Sequence, residues 1–206
     1  MTHVSSPRVR VHHALRIKGF ATIPHLTGLA GVGEPDLIDH LGEMQSEGLS
    51  QFREARALWQ LTPAGREAHP VLLEADAGRP GFREGLGERY PSFMTLNEEF
   101  KVLCGDWQLR DGAPNDHADT SYDKKVLARL AQLDTHAQKV AGAFGEVAAR
   151  FAGYAPRLAQ CRLAVEAGEH KMFTGVMCGS YHDVWMELHE DLILTQGINR
   201  AAEGSF

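Results

Sequence analysis

The segment Ser180-Tyr181-His182-Asp183-Val184-Trp185-Met186-Glu187-Leu188-His189-Glu190-Asp191 gathers imidazoles, carboxylates and large aromatics in one stretch. These are the side chains of a metal centre or of a ligand pocket. The spacing argues against a metal. On a helix His182 and His189 lie about 10.5 Å apart along the axis, and the closely spaced pair of an HExxH motif is absent. Tyr181, Val184, Trp185, Leu188 and Leu192 form one helical stripe that reads as core, with both histidines bordering it and finding hydrogen-bond partners. The ligand reading takes Trp107, Tyr181, His182, Trp185 and His189 as walls of an apolar cavity for a small-molecule effector, together with Phe93, Phe100, Tyr122 and Phe144. Its alternative is that these aromatics fill the core.

A second polar concentration, Gly112-Ala113-Pro114-Asn115-Asp116-His117-Ala118-Asp119, could line a pocket; it also reads as an ordered turn capping a helix that begins near Tyr122. Cys104, Cys161 and Cys178 have spacings that suit neither a disulfide framework nor a zinc clip, so reduced thiols are expected. They have no histidine at a recognised catalytic spacing. The run from Gly175 to Ser180 lacks a nucleophile elbow. Gly28, Gly31 and Gly33 follow a helix, not a strand, so neither a phosphate loop nor a dinucleotide fingerprint is present. No catalytic residue, cofactor or metal is expected.

The chain has 206 residues, 43% hydrophobic and 23% charged, with a net charge of −6. That length buries a self-sufficient core, and the composition is that of an ordinary globular protein. Residues 1–78 carry a net −2 and residues 79–206 a net −4. Neither half is basic, which disfavours a purely electrostatic nucleic-acid binder. The most apolar runs are too short to cross a bilayer, and the first ten residues lack a signal-peptide core, so a cytoplasmic protein with no membrane partner is expected.

What must position these residues is mostly helix. Ser6-Pro7 starts a first helix that Gly19 closes, with Val11, Ala14 and Leu15 inward. Thr22 opens a second, carrying Ile23, Leu26 and Leu29, and 28–33 reads as a turn. A third runs from about Glu34 to Glu47 with Leu37, Ile38, Leu41 and Met44 inward and Gly48 as its stop. Leu49 to Leu61 reads as two strands joined by a charged tip bearing Arg53, Glu54 and Arg56. Thr62-Pro63 starts a fourth helix to about Asp76, with Ala64, Ala68, Val71 and Leu72 on its apolar side. After a loose junction at 79–81 and 85–87, helices are expected at 93–107, 122–151 (one bent or two consecutive), 154–167 and 179–195, packed as a bundle.

The run Leu61-Thr62-Pro63-Ala64-Gly65-Arg66 directly after the hairpin, with Ser46-Glu47-Gly48-Leu49 ending the third helix, resembles the winged-helix domain of MarR-like bacterial transcriptional regulators over residues 9–76. The fold class implied is mainly α: an N-terminal winged helix-turn-helix at 1–78 with a small β-hairpin wing, followed by a C-terminal helical bundle at 79–206. The resemblance also implies a homodimer on double-stranded DNA, with Arg53 and Arg56 on the wing and His40 and Ser46 on the third helix as the contacting residues. This sequence departs from the pattern at one place. The outward side of the third helix presents Asp36, Asp39, Glu43 and Glu47, and no lysine or arginine occurs between Glu34 and Gln51. Carboxylates oppose binding to phosphates, so the alternative is a protein-docking adaptor whose acidic third helix meets a basic partner. Both readings require an exposed hairpin directly after that helix.

Overall fold

Ser6 caps the first helix as its hydroxyl predicts: its Oγ accepts the Val9 amide at 3.3 Å, and α1 runs Pro7–Lys18. The coordinates come from a computed structural model that describes residues 2–78 and 80–199; Arg79, part of the expected junction, lies outside them. Gly19 turns the chain with φ 72° into a short strand that the sequence reading lacks, β1 Phe20–Ala21. Next come α2 Ile23–Ala30 and α3 Glu34–Ser46. The turn between them is shorter than expected. Gly28 is still helical, and the reversal starts at Gly31, whose left-handed backbone (φ 59°) suits a glycine.

The hairpin follows at once. Strands β2 Ser50–Arg53 and β3 Leu58–Leu61 pair antiparallel with Phe52 opposite Trp59, and a single 3-10 turn, Glu54–Arg56, forms the tip. β1 pairs with the other edge of β3, giving the order β1-β3-β2. Thr62 then caps α4 Pro63–Ala77 by accepting the Gly65 amide at 3.0 Å.

Two faces differ from the hydropathy reading. Ile38 is 46% exposed on α3, and Val71 is 73% exposed on α4. The buried row of α4 is Gly65, His69, Leu73 and Ala77, not Ala64, Ala68, Val71 and Leu72. A glycine and a histidine disguised that row. His69 is inside because it has a buried partner, and Gly65 because the backbone of Leu49 approaches it too closely for a side chain.

The remainder is helical, with α5 Phe82–Gln108, α6 Thr120–Val147, α7 Tyr154–Glu166, α8 Lys171–Thr174 and α9 Tyr181–Gln196. Gly85 and Gly87 lie within α5, which therefore starts eleven residues before the expected Phe93. A two-stranded ribbon, β4 Leu109–Arg110 and β5 Ala113–Pro114, leads into the loop at 115–119. Asp119 there caps α6 by accepting the Ser121 and Tyr122 amides. The stretch expected as 122–151 is one helix that ends at Val147, followed by a 3-10 segment at Ala149–Gly153.

Buried apolar side chains fall into two clusters. One gathers Val11, Leu15, Leu26, Leu37, Leu41, Met44 and Leu61, in the part we call the head. The other gathers Phe93, Phe100, Phe144, Phe151, Phe173 and Trp185, in the helical part we call the body. Each large side chain so buried contributes about 1.5–3 kcal/mol.

Candidate functional site

Arg53 and Arg56 flank the hairpin tip, exposed, and no side-chain partner holds either one among the described residues. The other basic side chains of the head are engaged. Arg8 donates to Glu43 at 3.3 Å and to Glu47 at 2.5 Å, so part of the acidic face of α3 already holds a guanidinium. Arg10 caps α2 through the Ala30 and Gly31 carbonyls, and Arg66 donates to the Leu61 carbonyl. His40 and Ser46 both lie on α3. The His40 ring is 3.3 Å from the Glu43 carboxylate, and the Ser46 hydroxyl donates back to the Gly42 carbonyl at 3.0 Å.

The five aromatic and imidazole residues expected to wall an effector cavity separate. Trp107, Tyr181, Trp185 and His189 are buried within the body and fill its core. Trp185 stacks on Phe93 at 4.9 Å and donates its indole N–H to Asn97 at 2.9 Å. Tyr181 donates to the buried Asp134 at 3.1 Å, and the His189 ring meets the Tyr90 hydroxyl at 3.2 Å. The rings interlock at edge-to-face and offset geometries, which leaves their shared volume to side chains and not to a ligand. His182 alone of the five borders an open cleft. Its Nδ1, expected to find a hydrogen-bond partner, is buried without one among the described residues.

The polar cluster that the sequence reading missed lies where head meets body. His13 on α1 is bonded on both ring nitrogens: Nε2 is 2.8 Å from Asp191 Oδ1 on α9, and Nδ1 is 2.8 Å from His69 Nε2 on α4. Arg150, from the 3-10 segment, donates to Asp191 at 3.1 Å and also to Thr195, and lies 3.8 Å from Asp76. Asp76 in turn accepts from Ser5 at 2.7 Å and pairs with His3 at 3.0 Å. Tyr154 donates its hydroxyl to the second Asp191 oxygen at 3.1 Å. Next to this group Glu187 accepts from Lys18 of the head and from Arg157 of α7, each at 2.5 Å.

Hydrogen-bond accounting restricts the protons here. His13 Nε2 donates to the Asp191 carboxylate, because a carboxylate can only accept. Neutral His13 then accepts at Nδ1 from a His69 N–H; charged His13 donates to a neutral His69. Both rings cannot be charged without two N–H groups facing each other across 2.8 Å. Burial, reinforced by the neighbouring charges of His13 and His12, holds His69 down to about 3. For Asp191, burial alone would raise the carboxyl, but the Arg150 and His13 charges, with hydrogen bonds from His13 and Thr195, bring it below the ordinary carboxylate range.

Two of the three cysteines are poor nucleophiles. Burial pushes the Cys104 thiol up to about 12 and the Cys161 thiol to about 11, so both remain protonated at neutral pH. Among the described residues no group of three or more His, Cys, Asp and Glu side chains is placed to hold a metal ion. No described helix is long and apolar enough to cross a membrane. No protein-family model, curated protein or solved structure matches this chain.

A signal for the cluster was present in the sequence. Glu187 and Asp191 are four apart beside the apolar stripe of α9, and His12-His13 interrupts the apolar row of α1. Acidic and imidazole groups next to core stripes on separate helices mark complementary faces, but pairing them requires the tertiary arrangement.

Proposed function

We propose that the head is a winged helix-turn-helix and that the protein is a transcription regulator. In this reading it binds double-stranded DNA as a homodimer through its wing and senses a small-molecule effector through its helical body. The observation that carries the reading is the pair of unengaged arginines, Arg53 and Arg56, at the exposed tip of a hairpin that directly follows α2 and α3. A guanidinium on such a tip suits the narrow, electronegative minor groove. The acidic outer side of α3 repels phosphate, so base reading in the major groove by His40 and Ser46 is a subsidiary element. The junction supports the sensing part: α1 of the head is hydrogen-bonded to α9 of the body and, through His13, to His69 of α4, so strain in one is felt by the other.

The test is a fluorescence-anisotropy titration of genomic duplexes at rising salt. Binding that weakens steeply with salt, and that Arg53→Ala with Arg56→Ala reduces, supports the reading. Duplex binding unchanged in that double variant refutes the wing assignment.

A protein-docking adaptor is the second reading, and one observation favours it. Glu43 and Glu47 already engage the Arg8 guanidinium, the interaction a basic partner would make. Reversal of Asp39 and Glu43 to lysine would abolish capture of such a partner.

A further inference from the structure

A groove runs along the seam between head and body. Its larger part, about 550 Å³, lies between Phe20 and Leu58 of the head sheet and Met177, His182 and Met186 of the body. Its smaller part, about 370 Å³, lies between Gly28 on α2 and Arg157, Gln160 and Met172. Both parts are lined by Lys18, His25 and Glu187, which form the waist between them. These volumes are those of small-molecule sites.

The charges along the groove are unequal. At the waist Lys18 and Arg157 both donate to Glu187, so two cations share one carboxylate and leave a net positive charge, with the His25 imidazole beside it. The larger part is lined by apolar side chains and also by His182, Asp183 and Glu190. Its other carboxylates are committed elsewhere: Asp183 accepts the Met177, Cys178 and Gly179 amides, and Glu190 pairs with Arg16 at 3.4 Å. An anionic group at the waist completes a balanced set of two cations and two anions. An apolar chain attached to it would cover Phe20 and Met177, which are 44% and 68% exposed.

We propose that this groove binds an elongated amphipathic anion, an alkyl carboxylate, with its head group at Lys18 and Arg157 and its chain along Phe20, Met177 and Met186. The proposal deepens the effector-sensing part of the function proposed above and rests on it. The ligand would touch the end of α1 and the face of α9 together, the two elements that the His13–Asp191 bond also joins.

The experiment is calorimetric titration of the purified chain with decanoate below its micelle concentration, with decanol and decyltrimethylammonium as comparators. Expected is saturable one-to-one binding of decanoate, at least tenfold tighter than decanol, and at least tenfold weaker in Lys18→Gln. Met186→Glu, which sets a charge in the apolar wall of the larger part, is the blocking variant. It should fold and lose decanoate. If its circular dichroism shows that it does not fold, Phe20→Glu, at a side chain of the same wall that is already 44% exposed, takes its place with the same expected loss. Decanol binding as tightly as decanoate, tighter binding of the cationic amphiphile, no saturable binding, or a folded blocking variant with undiminished affinity each overturns the proposal. Because the titration needs no DNA, decanoate binding without duplex affinity would refute the DNA reading alone, and the converse would refute the groove alone. Where both bind, duplex affinity unchanged by saturating decanoate would refute the effector role.

Discussion

His13 Nε2 lies 2.8 Å from the Asp191 carboxylate, 178 positions away in the chain, and both side chains are almost shut off from water. The bond ties the first helix to the last described one. Head and body therefore meet over hydrogen bonds and ion pairs as well as apolar contact, and such a junction is sensitive to protonation and to single polar substitutions.

Acid should loosen it. Unfolded, His69 takes a proton near 6.5; folded, it is held down to about 3, mainly by burial. Between those values the unfolded chain binds more protons, so stability falls as pH drops from about 6.5 towards 3, by up to about 1.4 kcal/mol per pH unit for each such histidine. His12, also lowered chiefly by burial, acts in the same direction. The stability from the lowered Asp191 is complete above about 3.8 and is lost only below that pH. Urea unfolding at pH 7, 6, 5 and 4.5 should therefore show a midpoint that declines above the range in which Asp191 takes up its proton. His69→Gln should flatten the decline; an equally steep curve in that variant would exclude His69 as its source.

Removing the shared carboxylate should be costly. Asp191→Ala leaves Arg150 buried with Asp76 at 3.8 Å as its remaining anion, and takes acceptors from His13, Tyr154 and Thr195. A loss of about 3–5 kcal/mol is expected in chemical denaturation, the cost of breaking one side of a buried pair. A loss under about 1 kcal/mol would mean that water replaces the carboxylate.

Gly65 and Gly42 are both helical and should respond oppositely to alanine. A Cβ on Gly65 would lie 2.0 Å from the Leu49 carbonyl oxygen, which is fixed by the Thr62 amide at 3.0 Å. Gly65→Ala should lower stability by about 3 kcal/mol, because backbone cannot move aside cheaply. A Cβ on Gly42 meets nothing within 4 Å, so Gly42→Ala should raise stability by up to about 1 kcal/mol. Melting temperatures of the two variants check the pair.

The hairpin tip and the acidic helix can be separated by salt dependence. If Arg53 and Arg56 each meet a phosphate, the double alanine variant should lose about two from the slope of log affinity against log salt, with no change in melting temperature. Asp39→Lys should tighten duplex binding at low salt if α3 lies near DNA, and should leave it unaltered if α3 faces a protein partner.

The sequence by itself determined most of the local elements of the head, though not β1 or the length of α2. Ser6-Pro7 and Thr62-Pro63 start α1 and α4, Gly19, Gly31 and Gly48 end turns or helices, and the charged tip of the hairpin lies where alternating strands require it. These follow from backbone and capping preferences that act within a few residues, so they are legible without the fold. Tertiary structure decided which face of α4 is inside and whether the body aromatics enclose a space or fill one. It also decided that His13, His69, Arg150 and Asp191 share a single buried network. Each of those outcomes depends on a partner distant in the chain. A histidine counts as polar until a carboxylate on another helix gives its buried N–H an acceptor, and hydropathy read along one strand of sequence contains no such partner.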